Sequence, residues 1–356
     1  MDRRPRLAIT LGDPCGLGPE LLLRSLPLLR TWADLTVVGA QAGLALLEQG
    51  AASGLGSWTP SAADRWVDPT PEIRAQDLHL GRGSAASGRA AVEAVRLAAG
   101  LALQGEVDAL VTLPLAKSAA HQAGYAIPGH TEFLQALSGA ALVRMAFVSP
   151  RLSVVLHTVH QSLRSVVEGL NAPAVAETLA FAADRFAGLT GNPIPRVALC
   201  ALNPHAGEEG AFGHEEGLLR EALAQAEAAF REAGPGGPFA HLRSGTPRAS
   251  APAPRFSGPW PSDSLFHRAA SGEFDLVVAL YHDQGLIPIK LLEPTRAVNL
   301  TLGLPFIRTS PDHGTGFDKA GRGLGDPRNF QEAAALAVRL AGKARGRDWT
   351  AQVDAP

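Results

Sequence analysis

The chain has 356 residues, of which 46% are hydrophobic and 19% are charged. This composition is typical of a folded, enzyme-like globular protein and excludes a disordered one, and the length predicts two domains or one large elaborated α/β unit. A net charge of -2 excludes a general attraction to nucleic acid or to anionic membranes, so any anion-binding site must be local.

Apolar runs alternate with helical patterns in the first part of the chain. We predict strands at 7–10, 35–38 and 107–112 and helices at 41–49 and 87–103. The glycine-rich loop at 12–18 joins the first strand to a helix opened by proline, but its spacing is neither G-x-G-x-x-G nor that of a P-loop. Residues 51–80 are predicted to be loop with one or two short elements. The alternation predicts an α/β fold with a mostly parallel sheet covered on both faces.

The second part of the chain continues this alternation without an internal repeat. A helix is predicted from about 130 to 138, with Thr131 as its cap. Further strands are predicted at 145–148, 152–157, 196–200 and 276–280, and further helices at 161–169, 172–188, from 262 and at 328–345. Residues 233–261 are rich in proline and glycine and are predicted to form an exposed excursion.

Histidines recur at or just past the carboxyl ends of predicted strands, where open α/β sheets bind ligands. His160, His205 and His282 share this position. Three imidazoles with open coordination positions suit a catalytic divalent metal. His157 is a rival for His160, because it points to the opposite face if the strand persists. The alternative interpretation of His282 and its neighbour Asp283 is an ordinary polar pair between strand and loop.

Three residues that suit an anionic ligand follow the last of these histidines. Lys290 and Arg308 supply positive charge for a phosphate or carboxylate, and Asn299 supplies a neutral donor.

Two cysteines, Cys15 and Cys200, form neither a disulfide framework nor a Cys-x-x-Cys motif, which favours a reducing cytoplasm. No apolar run has the length of a membrane span, and the run near the start is too short for a signal peptide.

Eight segments along the chain match one known family: ITLGDPCGLGPE, VTLPLAK, PGHTEF, HTVHQSLR, ALNPHAGE, PSDSLF, YHDQGLIPIK and NLTLGLPFIRTSPDHGTGFDKAGRG. Through them, across nearly its whole length, the chain resembles the 4-hydroxythreonine-4-phosphate dehydrogenase family of pyridoxal phosphate biosynthesis. The resemblance implies two α/β/α domains of isocitrate/isopropylmalate dehydrogenase-like architecture. We place residues 1–128 and 309–356 in the first, cofactor-side domain, and 129–308 in the second, with the metal and substrate residues and the dimer contacts.

The resemblance also implies the residues of the site. It implies a homodimer with shared active sites, in which His160, His205 and His282 hold a divalent metal (zinc, magnesium or cobalt). The substrate-binding positions are matched by His130, Thr131, Lys290, Asn299 and Arg308. Asp263 and Asp283 match aspartates that support the site. The sequence does not identify the general base, for which Lys117 and a metal-bound hydroxide are the two candidates. The segment with His313, Gly314 and Thr315 resembles the adenosine-binding loop of isocitrate and isopropylmalate dehydrogenases, so NAD or NADP is the implied cofactor.

The sequence departs from the family pattern near the site, which keeps three functions open. Gln161 and Ser162 replace the usual Leu-Pro after the first metal histidine, Leu115 and Ala116 precede Lys117 in place of Ile-Asn or Val-His, and the 233–261 excursion is longer. The first function is oxidation of 4-phosphooxy-L-threonine. The second is oxidation of a phosphorylated sugar acid, 4-phosphoerythronate or 4-phosphothreonate. The third is a non-catalytic binding protein that kept the metal and phosphate pocket.

Overall fold

The computed structural model describes residues 3–50, 57–59, 61–192, 195–231, 254–346 and 353. The chain divides into two compact units, one formed by Met1–Val143 with Val298–Pro356 and the other by Arg144–Ala297. Compared with the domains expected from the resemblance, this division assigns residues 129–143 and 298–308 to the first unit. The candidate residues His130, Thr131, Asn299 and Arg308 therefore all belong to the first unit.

Strands and helices alternate along the described residues. The strands are β1 (Arg6–Thr10), β2 (Asp34–Val38), β3 (Arg65–Val67), β4 (Ala109–Thr112), β5 (Arg144–Val148), β6 (Ser153–Leu156), β7 (Arg196–Cys200), β8 (Arg255–Trp260), β9 (Leu276–Ala279), β10 (Val298–Leu302) and β11 (Ile307–Pro311). The helices are α1 (Gly18–Trp32), α2 (Ala42–Gly50), α3 (Ala85–Leu103), α4 (Lys117–Gln122), α5 (His130–Ser138), α6 (Leu163–Gly169), α7 (Ala172–Thr190), α8 (Glu215–Arg231), α9 (Ser262–Ala270), α10 (His282–Leu292) and α11 (Arg328–Ala344).

The first unit has the strand order β3-β2-β1-β4-β11-β10, parallel except that β10 runs antiparallel to β11. Helices cover both faces of these strands. Leu110 packs in a core cluster with residues of α3, whereas Thr309, the register partner of Val111, donates from its hydroxyl to the Ala333 carbonyl of α11. Because successive strand residues point to opposite faces, α3 and α11 lie on opposite sides. The predicted α/β fold with mostly parallel strands is confirmed.

The second unit has the strand order β5-β6-β9-β7-β8, parallel except for the antiparallel pair of β5 and β6. One face of these strands packs against α9 and α10, and Leu265, Leu286 and Ile289 are buried in that core. Gly285 allows α10 to approach closely, because a methyl group there would lie 2.8 Å from side-chain atoms of both Val154 and Leu156. This packing fixes the start of α10 beside the end of β9.

Some elements differ from those predicted from sequence. No helix was predicted directly after the 276–280 strand, but α10 begins there at His282 and buries Leu286 and Ile289 in the core of the second unit. Strand β8 lies inside the predicted 233–261 excursion, and the part of that excursion from 232 to 253 falls outside the described residues. Helix α8 and strands β10 and β11 were not predicted. Among the described helices, none has the length and apolar character that crossing a membrane requires.

Candidate functional site

Arg308 places a buried positive charge in the first unit. Its side chain is 2% exposed, and its described hydrogen-bond partners are neutral hydroxyls. Nε and Nη2 donate to Thr112 Oγ1 at 3.1 and 2.7 Å, and Nη1 donates to Thr301 Oγ1 at 3.0 Å. Burial lowers the pKa of the guanidinium to about 10, and the nearby Glu132 charge opposes this shift. The group is therefore charged at neutral pH without a paired carboxylate among those partners, a state that favours a bound anion.

His130 and Thr131 lie at the start of α5. Thr131 was predicted to cap this helix, but the cap position is Gly129 and Thr131 lies inside the helix. The buried Nε2 of His130 has no hydrogen-bond partner among the described residues. Burial, and then the charges of Arg308 and Lys117, lower the pKa of His130 to about 3. His130 is thus a neutral imidazole with an unused hydrogen-bonding position.

Asn299 adds a second unused polar atom in the same unit. It pairs with Ser310 in the ladder between β10 and β11, and Ser310 lies two residues from Arg308, so the side chains of Asn299 and Arg308 point to the same face. The buried Oδ1 of Asn299 has no partner within the described part of the chain. Buried polar atoms are normally hydrogen-bonded, so unpaired ones beside a buried cation indicate a ligand site.

The predicted cofactor loop follows β11. It contains His313, Gly314 and Thr315, and the Thr315 carbonyl accepts a hydrogen bond of 2.8 Å from the backbone N–H of Leu17. His313 Nδ1 lies 2.9 Å from the Gly314 carbonyl oxygen, while its Nε2 is buried without a partner in the described residues. The structure therefore brings this loop against the glycine-rich loop after β1. Both loops were singled out in the sequence, but their contact was not predicted.

The second unit brings two of the three predicted metal ligands together. The rings of His160 and His282 have centroids 5.7 Å apart. His282 Nδ1 lies 2.7 Å from Asp283 Oδ1, so Nε2 is the ring nitrogen that this contact does not occupy. His205 lies on the turn Pro204–Gly210, with its ring 6.3 Å from that of Phe212. Within the described residues, no group of three His, Cys, Asp or Glu side chains is spaced to hold a metal ion. The donor type fits a divalent metal, and the described residues bring His160 and His282 close together without a third such ligand.

Other predicted residues of the second unit lie at helix ends. Asp263 is exposed in the first turn of α9, and Lys290 is exposed in the last turn of α10. His157, the rival of His160, has its Nδ1 2.8 Å from Thr178 Oγ1 on α7. Burial, and then the charge of Arg144, lower the pKa of His157 to about 4. This environment separates His157 from the exposed histidines and favours His160 as the ligand.

Comparison with known proteins places these residues in a family. The model of the pyridoxal phosphate biosynthetic protein PdxA matches residues 57–337. The chain belongs to this family. A PdxA-family relative from Beijerinckia indica subsp. indica, a 4-hydroxythreonine-4-phosphate dehydrogenase, is 39% identical over 352 residues, covering 94% of each chain. The resemblance stated from the sequence motifs is therefore confirmed.

Relatives with a different named substrate are almost as similar. A D-threonate 4-phosphate dehydrogenase from Cupriavidus necator is 36% identical over 355 residues, covering 96% of this chain and 98% of the relative. The crystal structure of a 4-hydroxythreonine-4-phosphate dehydrogenase from Klebsiella pneumoniae has a TM-score of 0.74 and 37% identity, covering 95% of this chain and 99% of that one. The PdxA-family relatives are thus oxidoreductases with at least two named substrates.

Gln284 is a site residue whose role the sequence did not predict. Its amide is 8% exposed and joins three segments: Oε1 accepts from the Leu280 N–H at 2.7 Å, and Nε2 donates to the Ala201 carbonyl at 2.7 Å and to Ser262 Oγ at 2.9 Å. These bonds hold together the ends of β7 and β9 and the start of α9. The sequence signal was the glutamine within the PdxA-family segment YHDQG, but two of its three partners, Ala201 and Ser262, are distant in sequence.

Proposed function

We propose that the protein is an NAD(P)-dependent and metal-dependent dehydrogenase that oxidises the secondary alcohol of 4-phosphooxy-L-threonine. The product is a β-keto acid that loses carbon dioxide to give 3-amino-2-oxopropyl phosphate, in pyridoxal 5′-phosphate biosynthesis. The observation that carries the proposal is the buried Arg308 beside the unpaired polar atoms of His130 and Asn299. Membership of the PdxA family supports the reaction type.

The residues of the first unit bind the phosphate group in this proposal. Arg308 supplies a fixed guanidinium that has no competing carboxylate among its hydrogen-bond partners. His130 is neutral, so its free nitrogen donates one hydrogen bond or accepts one without adding charge. Thr131 and Asn299 contribute further polar contacts. Lys290 is retained as a substrate-binding residue because it matches the family position.

The histidines of the second unit hold the metal in this proposal. A bound divalent ion (zinc, magnesium or cobalt) would lower the pKa of the substrate hydroxyl and polarise the ketone during decarboxylation. His282 presents Nε2 because Asp283 holds its Nδ1. Asp263 supports the same site. Within the described residues of one chain, His160 and His282 lie close together without a third such ligand, and we propose a homodimer in which His205 of a second copy completes each site.

The remaining roles concern the cofactor and proton transfer. His313, Gly314 and Thr315 bind the adenosine part of NAD or NADP, which accepts the hydride, and the contact of this loop with the glycine-rich loop holds it in place. Lys117, at the start of α4 after β4, is the proposed general base. Two buried free thiols, Cys15 and Cys200, support a location in the reducing cytoplasm.

A second candidate substrate is a phosphorylated sugar acid, 4-phosphothreonate or 4-phosphoerythronate. The supporting observation is the change from Leu-Pro to Gln161 and Ser162, directly after His160. Ser162 caps α6 by accepting a hydrogen bond from the Ser165 N–H at 3.2 Å. This cap introduces polar side chains beside a proposed metal ligand, where the substrate amine or hydroxyl is expected to bind.

The experiment that tests the proposal is a substrate panel with the full-length protein. It contains 4-phosphooxy-L-threonine, 4-phosphothreonate and 4-phosphoerythronate, each assayed with NAD⁺ and with NADP⁺ after chelation and after adding back Zn²⁺, Mg²⁺ or Co²⁺. We expect the highest kcat/KM with the amino acid and loss of activity on chelation. A preference for a substrate without the amine would establish the second candidate instead. If none of the three compounds is turned over, the result would favour the third function, a non-catalytic binding protein.

A further inference from the structure

The turn that carries His205 has an unusual left-handed backbone. Six successive residues, 205 to 210, have positive φ: 54° at His205, 55° at Ala206, 79° at Gly207, 40° at Glu208, 55° at Glu209 and 99° at Gly210. Four of the six are not glycine. The left-handed conformation costs roughly 1–2 kcal/mol for each non-glycine residue. Such a run persists only where surrounding interactions hold it, and conformations of this kind concentrate at functional sites.

The carboxylate of Glu216, on α8, is the group that holds the start of this turn. It is 2% exposed. Its Oε1 accepts from the backbone N–H groups of Leu202 and Asn203 at 3.1 and 2.8 Å, and its Oε2 accepts from Asn203 Nδ2 at 3.0 Å. Asn203 Nδ2 also donates to Glu215 Oε2 at 2.7 Å. A buried carboxylate with three donors on the two residues before the turn fixes the direction in which the chain enters it.

The turn itself is shaped around that carboxylate. A methyl group on Gly207 would lie 2.6 Å from Glu216 Oε2, closer than a Cβ contact allows. On the other side of the segment, the Ala201 carbonyl accepts from Gln284 Nε2 at 2.7 Å. The entry to the turn is therefore fixed from two helices, α8 and α10, while the imidazole of His205 stays exposed.

We propose that Glu216 is a positioning residue whose carboxylate, seated against Gly207, maintains the left-handed turn that presents His205. This inference rests on the proposed role of His205 as a metal ligand. Its physical basis is that a ligand held in one orientation before binding loses less conformational freedom when the metal arrives. Loss of the carboxylate allows the turn to relax towards right-handed backbone, which moves the imidazole.

The test compares metal binding in variants of the full-length protein. Glu216→Ala removes the carboxylate, and Gly207→Ala displaces it without removing it. His205→Ala is the reference for loss of the ligand, and Glu221→Ala, on the same helix and bonded only to Gln225 in the described structure, is the matched control. Each chelated protein is titrated with Co²⁺ and followed by visible absorption, with thermal melting and kcat/KM measured alongside.

We expect Glu216→Ala and Gly207→Ala to lower Co²⁺ affinity about tenfold or more and to alter the cobalt spectrum. Glu221→Ala should match the native protein. Glu216→Gln keeps an oxygen for the Leu202 and Asn203 N–H groups, so it should restore part of the affinity, and it replaces Glu216→Ala if that variant does not fold.

If these variants melt earlier yet bind Co²⁺ with native affinity and spectrum while His205→Ala does not, Glu216 is merely structural and the inference is wrong. Native binding by His205→Ala would instead refute the ligand assignment.

Discussion

The two groups of candidate residues differ in how much water reaches them. In the first unit, Arg308 is buried, and His130 and Asn299 each present a buried polar atom without a partner in the described structure. In the second unit, His160 and His205 are exposed. The first group is built to desolvate part of a ligand, since electrostatic contacts strengthen where water is excluded. The second group is open, as the proposed metal site, completed by a second copy of the chain, requires.

Burial also sets the protonation of two residues of the first group. It lowers the pKa of His130 to about 3 and that of Arg308 to about 10. His130 therefore remains neutral and Arg308 remains charged throughout the physiological pH range. Arg308 thus supplies a fixed positive charge for a bound anion and His130 supplies a neutral hydrogen-bonding group, with the charges of Lys117 and Glu132 also nearby. The predictions below test this contrast between a buried anion site and an open metal site.

The largest effect is expected from Arg308→Met, which removes the buried charge and keeps an apolar side chain. A charge-assisted contact contributes about 1.5–3 kcal/mol, so KM for the phosphorylated substrate should rise roughly ten- to a hundredfold. Because burial depresses the pKa of Arg308, its charged form destabilises the fold at neutral pH, and the melting temperature should hold or rise. The control is Arg328→Met, an exposed arginine paired with Asp326. An unchanged KM would show that Arg308 does not bind the phosphate group of the substrate.

A smaller effect is expected from Asp283→Ala in the open group. Loss of the partner that holds His282 Nδ1 typically costs 10–100-fold in metal affinity, and we expect about tenfold because Asp283 is 71% exposed and screened by water. Metal titration of the chelated protein measures it. Glu273→Gln, which affects an exposed carboxylate paired with Arg268, is the control. A loss well above a hundredfold would mean that water does not screen this pair and that the second group is less open than proposed.

The sequence indicates which residue types are candidates for the site, but not the environment of each one. His160, His205 and His282 could be selected because each follows a buried strand, a pattern visible in the chain. The burial of Arg308 could not be predicted, since it depends on the hydroxyls of Thr112 and Thr301 in two neighbouring strands, one of which was not predicted. The left-handed turn at His205 could not be predicted either. Residues other than glycine rarely adopt this backbone conformation, and Glu216, whose carboxylate lies against the turn, belongs to a separate element, α8.

The smallest effect concerns two histidines that burial keeps neutral. The pKa values of His130 and His157 are about 3 and about 4, below the ordinary 6.5, so the unfolded chain binds protons first as the pH falls. Each histidine therefore makes stability decrease below pH 6.5, down to its own folded pKa. Gln at either position should flatten that part of the acid unfolding curve.

Only His130→Gln should also raise KM for the phosphorylated substrate, by about two- to tenfold, since a neutral hydrogen bond contributes about 0.5–1.5 kcal/mol. His157→Gln serves as the control with the same acid behaviour, because the Nδ1 of His157 already lies 2.8 Å from Thr178 Oγ1. Unfolding at several pH values, together with steady-state kinetics at pH 7, separates the two effects. Equal KM changes in both variants would show that the loss arises from general destabilisation. The free nitrogen of His130 would then have no part in binding the phosphate.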